Sequence, residues 1–130
     1  MKDENFCTLG GRITHPAAVF STNNQGYLLS FSIANHSSYS GKGKDTPLYL
    51  EVKVAGGNNR AKLDAFAERL PKGRKVTIHN ADLQRNDWEN SSGDPQHSYY
   101  LFCRLDQIFL HALPAKPEKV TPEPSSSFDL

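Results

Sequence analysis

One tryptophan, one methionine and two cysteines are all that 130 residues contain of those types, and no sign of charge dominates. Each scarcity narrows the field. Cys7 and Cys103 are too few and too far apart for a disulfide scaffold. Met1–Asn5 is charged and no apolar stretch follows it, so no secretory leader is expected. The two cysteines are therefore expected as reduced thiols in a core. No run approaches the ~20 apolar residues of a membrane helix, so no membrane partner is expected. Residues 1–110 carry 13 Lys and Arg against 11 Asp and Glu, and residues 111–130 carry 2 against 3. The body is weakly basic and the tail weakly acidic.

Catalytic signatures are also missing. His15, His36, His79, His97 and His111 show no HxxxH or HExxH spacing, and there is no CxxC pair. There is no GxSxG elbow and no GxGxxG loop. The GKGK run at 41–44 has the wrong spacing for a phosphate loop. The expectation is a protein that is not an enzyme and that uses no metal or cofactor.

What is present is β-pattern. The stretch from Lys75 to Leu110 organises the chain as a long hairpin. Val76, Ile78, Ala81 and Leu83 form one apolar arm, and Tyr99, Leu101, Cys103 and Leu105 alternate along the other. Between them, Asn86–Ser98 reads as an oversized polar tip holding Trp88. Turn chemistry needs no tryptophan. An indole ring there suits stacking against a flat partner; the alternative is a ring folded back to cover the barrel wall.

The rest of the chain supplies three strands and a helix. Phe6–His15 reads as the first strand, interrupted by Gly10-Gly11 as a bulge or bend and ended by Pro16. Tyr27–Asn35 reads as the second, with Tyr27, Leu29, Phe31 and Ile33 on the core face. Leu48–Ala55 reads as the third, with Leu48, Leu50, Val52 and Val54 inward and Tyr49, Glu51 and Lys53 outward. Asn58 or Asn59 is placed to cap a helix over Arg60–Leu70, whose apolar stripe is Leu63, Phe66, Ala67 and Leu70. Three strands, a helix and two strands is the plan of a five-stranded OB-fold, a Greek-key barrel that commonly binds oligonucleotides. The fold class expected is all-β with one helix. The domain spans 1–112, and 113–130 is a Pro/Ser-rich tail expected to be disordered.

Over Asn5–Leu110 the chain resembles the bacterial single-stranded DNA-binding protein family. Four stretches carry the resemblance: Leu9-Gly10-Gly11-Arg12 with His15-Pro16, Phe31-Ser32-Ile33-Ala34, Leu70-Pro71-Lys72-Gly73 with Val76 and Ile78, and Leu83 to Trp88. It implies base stacking at Tyr39, Tyr49 and Trp88, and basic contacts at Lys42 and Lys72. Ala55 stands where the family has a fourth aromatic, Glu51 where it has a basic residue, and Asp87 where it often has a cation. These departures suit weaker binding or a different strand path, as in a phage, plasmid or diverged member. The residues themselves offer Arg12, Lys42, Lys44, Lys53, Lys72, Arg74 and Arg85 as phosphate contacts.

The family likeness further implies a homotetramer, or failing that a homodimer. Its setting would be the cytoplasm of a bacterium or phage-infected host, in replication, recombination or repair. The family's acidic tail recruits partner proteins. Here Phe128-Asp129-Leu130 keeps a hydrophobic and acidic echo of it. The function expected is coating of single-stranded DNA without sequence preference. The alternative is an OB-fold adaptor in replication whose main role is protein contact.

Overall fold

The computed structural model describes residues 2–22, 26–36 and 47–113. Tyr39, Lys42, Lys44 and the tail residues Phe128, Asp129 and Leu130 lie outside them. Alternating apolar residues build five main strands: β1 (Cys7–Ser21), β2 (Tyr27–Asn35), β3 (Leu48–Ala55), β4 (Lys75–Glu89) and β5 (Pro95–Arg104). They hydrogen-bond in the order β1-β2-β3-β5-β4, and β4 pairs back onto β1. Among the described residues only β3 and β5 run parallel; the other neighbours are antiparallel. This closed Greek-key sheet is the OB-fold. A helix, α1 (Arg60–Ala67), joins β3 to β4.

The inward residues form one core. Leu29, Ile33, Val52, Val54, Val76, Ile78, Ala81 and Leu101 have no accessible surface. Leu63 and Leu70 bring the helical segment into the same cluster. A Cβ on Gly56 would collide with the Leu63 side chain, so glycine there lets α1 seat closely. Asn59 caps the helix by accepting a hydrogen bond from the Lys62 amide at 3.0 Å. Cys7 and Cys103 are free thiols. Burial pushes the Cys103 thiol up to about 12, which keeps it protonated and inert at neutral pH.

Several boundaries differ from expectation, each for a local reason. β1 does not stop at Pro16 but runs on to Ser21. Its register shifts between Ile13 and His15 and again between His15 and Ala18. Pro16 falls inside that irregularity, where no ladder N–H is required. The ladder is regular through Gly10-Gly11, where β1 passes from β4 to β2. There a Cβ on Gly11 would lie 2.6 Å from the Ala34 carbonyl oxygen, so the glycine serves close approach of two strands.

α1 ends at Ala67 rather than Leu70. The Arg69 and Leu70 amides donate to the Phe66 and Ala67 carbonyls, a tightened final turn. Leu48 was expected inward and is 50% exposed, because it lies at the open end of the barrel beside Asn35. Leu105 leaves the hairpin: Leu105–Gln107 form a 3-10 turn, followed by a short strand β6 (Ile108–Leu110) on β4. Gln107 fixes this turn. Its side chain accepts from the Arg104 amide and donates to the carbonyls of His79 and Asn80.

The polar tip is shorter than expected. β4 and β5 stay paired out to Glu89 and Pro95. Only Asn90–Asp94 turns, with Asn90 Oδ1 accepting from the amides of Ser92 and Asp94.

Candidate nucleic-acid interface

β3, β5 and β4 lie side by side, and strand alternation sends every second residue to the outer surface. Pairing sets out two outer rungs. One is Ser32, Glu51, Tyr100 and Gln84; the next is Ser30, Lys53, Phe102 and Asp82. Tyr49 stands one rung beyond Glu51 on the same face of β3 and pairs with Ala34. On β4 the outer set continues through Asn86 to Trp88, which pairs with Gln96. Four aromatic side chains thus share one face: Tyr49, Tyr100, Phe102 and Trp88. Tyr49 is 67% exposed, Trp88 45% and Phe102 37%.

The polar groups on this face are already organised. Lys53 Nζ lies 4.3 Å from the Tyr100 ring centroid, a cation–π contact. That keeps an ammonium at the surface beside an aromatic ring. Glu51 accepts a 2.7 Å hydrogen bond from the Ser30 hydroxyl. Trp88 borders a hollow lined by hairpin residues, among them Arg85, Gln96 and His97. It is carried on the ladder itself rather than folded over the barrel.

Arg85 lies on the opposite strand face, paired with Tyr99. Its Nε donates to Asp87 Oδ1 at 2.8 Å. That hydrogen bond and the Asp87 charge raise the Arg85 pKa. Arg85, expected as a phosphate contact, is thus paired with Asp87 at an exposed position.

Three other expected cations gather elsewhere, where β1 meets the start of β4. Arg12 pairs with both Ala34 and Lys75 and is exposed. Lys72 is exposed in the turn that precedes β4. Arg74 is engaged in holding the fold. Its Nε and Nη2 donate to the His111 carbonyl and its Nη1 to the Arg69 carbonyl. Arg74, expected as a phosphate contact, thus also ties β4 to the residues on either side of it.

The aromatic face contains two residues absent from the sequence-level candidates, Tyr100 and Phe102. The signal was available: with Leu101 and Cys103 inward, Tyr100 and Phe102 must point outward. Tyr99, which alternates with Leu101 and Cys103 along the second arm, is 47% exposed, because the barrel interior ends at the Leu101 rung. Among the described residues, no group of three His, Cys, Asp or Glu is placed to hold a metal ion.

No protein-family model and no curated protein matches the chain. Among solved structures it is similar to a Plasmodium falciparum single-stranded DNA-binding protein (SSB) in complex with ssDNA. The TM-score is 0.69 at 18% identity, over 86% of this chain and 98% of that one. The likeness is one of fold along almost the whole of the other protein.

Proposed function

We propose that this chain binds single-stranded DNA without sequence preference. The observation that carries the proposal is the aromatic face: Tyr49, Tyr100, Phe102 and Trp88 on one outer surface of an OB barrel. Every base has a π-face, so stacking on such a surface is indifferent to sequence. Lys53 adds a cation on the same face for the backbone phosphates. The similar fold of an SSB in complex with ssDNA supports the reading, as does the family resemblance of the four sequence stretches. On this reading the protein is not an enzyme, assembles as a homotetramer or homodimer, and protects exposed strands in replication, recombination or repair. Its place is the cytoplasm of a bacterial or phage-infected cell, and residues 113–130 recruit partners through Phe128-Asp129-Leu130.

Trp88 is the sole tryptophan and reports directly. Titration with poly-dT is expected to quench its emission, and duplex DNA to do so far less, because duplex bases are already stacked. Tight binding of poly-dT with unchanged emission would remove the aromatic face from the strand path.

A second reading is favoured by one observation. Glu51 puts a carboxylate in the middle of the aromatic face, next to Tyr100, where it repels a phosphate backbone. An adaptor that contacts protein first and DNA second would tolerate that charge. A saturable site size with poly-dT supports coating; weak, non-saturating binding supports the adaptor.

A further inference from the structure

The outer row that contains Tyr49 does not stop at β3. Tyr49 pairs with Ala34, Ala34 with Arg12, and Arg12 with Lys75. At about 4.8 Å between neighbouring strands, this row runs roughly 14 Å around the barrel. Ala34 is nearly buried and small, so it forms a low saddle between an aromatic ring and two cations. Beyond the saddle lies a groove of about 320 Å³ lined by Gly10, Arg12, His36, Lys75, Thr77 and His111. No Asp or Glu is among its described lining residues. Neither Arg12 nor Lys75 is ion-paired among the described residues, in contrast to Arg85 and Arg104, which each meet an aspartate.

The groove's walls are set by hydrogen bonds. Arg12 Nη1 donates to the Gly73 carbonyl at 3.2 Å, which orients the guanidinium and leaves it other N–H groups. Gly10 has no side chain to fill the floor, and the Asn35 amide holds its carbonyl at 2.7 Å. The Thr77 hydroxyl and His111 Nε2 lie 2.8 Å apart. Beside them the Phe109 ring meets the His111 ring edge-on at 4.9 Å, and Phe109 is 55% exposed.

We propose that this groove is a second contact for the same single strand, with Arg12 and Lys75 holding phosphate and Phe109 offering a ring to a base. The proposal rests on the reading of the aromatic face as a single-strand site, and extends it around the barrel by way of Ala34. A cationic groove with an exposed ring at its rim matches the two features common to every nucleotide, its phosphate and its base face.

The test uses the full chain with labelled poly-dT, followed by both label anisotropy and Trp88 emission across a salt series. Lys75→Gln is the primary variant, because the Lys75 side chain makes no hydrogen bond among the described residues; Arg12→Gln is the second. Each is expected to lower the log–log salt slope by about 0.7, the value for one phosphate contact on a single strand. Phe109→Ala is expected to weaken poly-dT binding several-fold without changing the slope. Quenching of Trp88 by an oligonucleotide of about four nucleotides, at the lower end of OB-fold site sizes, stays within two-fold of wild type. An unchanged slope in Lys75→Gln, with wild-type quenching intact, overturns the groove alone. Anisotropy without quenching, together with a reduced slope, overturns the aromatic face and keeps the groove. If Lys75→Gln instead alters the sedimentation of DNA-free protein and leaves the slope unchanged, the groove is a contact between copies of the chain and the proposal fails.

Discussion

At the Leu83–Leu101 rung the β4–β5 ladder changes its surroundings without changing its hydrogen bonding. On the barrel side, Val76, Ile78, Ala81, Leu101 and Cys103 are at most 2% exposed. On the other side, from the Arg85–Tyr99 rung to the Glu89–Pro95 rung, every residue is exposed. Burying a Leu, Ile or Val side chain contributes about 1.5–3 kcal/mol, and the outer half of the ribbon has nothing comparable. A two-stranded hairpin alone is marginal in water. The outer half is therefore held by its ladder, the Asn90 turn and its attachment to the barrel. That makes it the part of the molecule able to shift when a partner arrives, and it is the part that carries Trp88.

The largest expected effect lies on the barrel side. Leu101→Ala should lower stability by about 2–5 kcal/mol, through lost burial and the cavity left behind. Urea unfolding followed by circular dichroism measures it. Poly-dT binding by the fraction still folded should be unchanged, since Leu101 faces the core.

Next comes Trp88, where the comparison reverses. Trp88→Ala should leave the unfolding midpoint nearly in place and weaken poly-dT binding by about 1–3 kcal/mol, roughly five-fold or more. Trp88→Phe should recover part of this, because a ring face remains. Label anisotropy measures both, since the alanine variant has no tryptophan to report. A stability loss like that of Leu101→Ala would mean that the hairpin is buried in solution.

Asn80 lies where β4 changes the residues it sends inward, from Val76 and Ile78 to Ala81. Its φ is +54°, and the β1–β4 register shifts between Cys7 and Leu9 opposite it. The Asn80 amide donates to the Thr8 hydroxyl and its carbonyl accepts from Gln107. These contacts are all backbone on the Asn80 side and survive substitution. Asn80→Gly should change stability by less than about 0.5 kcal/mol, whereas Asn80→Val should cost about 1–2 kcal/mol for the left-handed conformation. Equal effects of the two would mean that the bulge relaxes freely.

This bulge also marks where the sequence stopped being legible. The limits of β2 and β3, a helix cap at Asn58 or Asn59 (Asn59 in the structure) and the OB order of elements follow from alternation and turn chemistry, and all stand in the structure. Period-two counting carries facing correctly only while the register is regular. It groups Leu83 with Ala81 and Tyr99 with Leu101 along the two arms, and nothing in the residue types says where a barrel ends and its hairpin continues. The pairing of Arg12 with both Ala34 and Lys75 was hidden for a related reason. It depends on β1 changing partners, a long-range event that local pattern does not encode.

Tyr99 gives the finest measure of the comparison. It is the next β5 residue on the same face as Leu101, and its ring meets His97 edge-on at 5.6 Å and 78°. Such a pair contributes about 0.5–1.5 kcal/mol when well packed. Here Tyr99 is 47% exposed, so much of its surface stays in water in the folded state. Tyr99→Ala should therefore cost less than about 1 kcal/mol, below the cost of Leu101→Ala two residues along the same strand. Because Tyr99 faces away from Trp88, poly-dT quenching of Trp88 should keep its wild-type midpoint. Chemical denaturation at two protein concentrations gives the sharper result. A Tyr99→Ala cost that stays small and independent of concentration means that this face is bare. A cost that approaches that of Leu101→Ala and grows with protein concentration means that a second copy covers the face, and that the ribbon's outer half has a core of its own in the assembly.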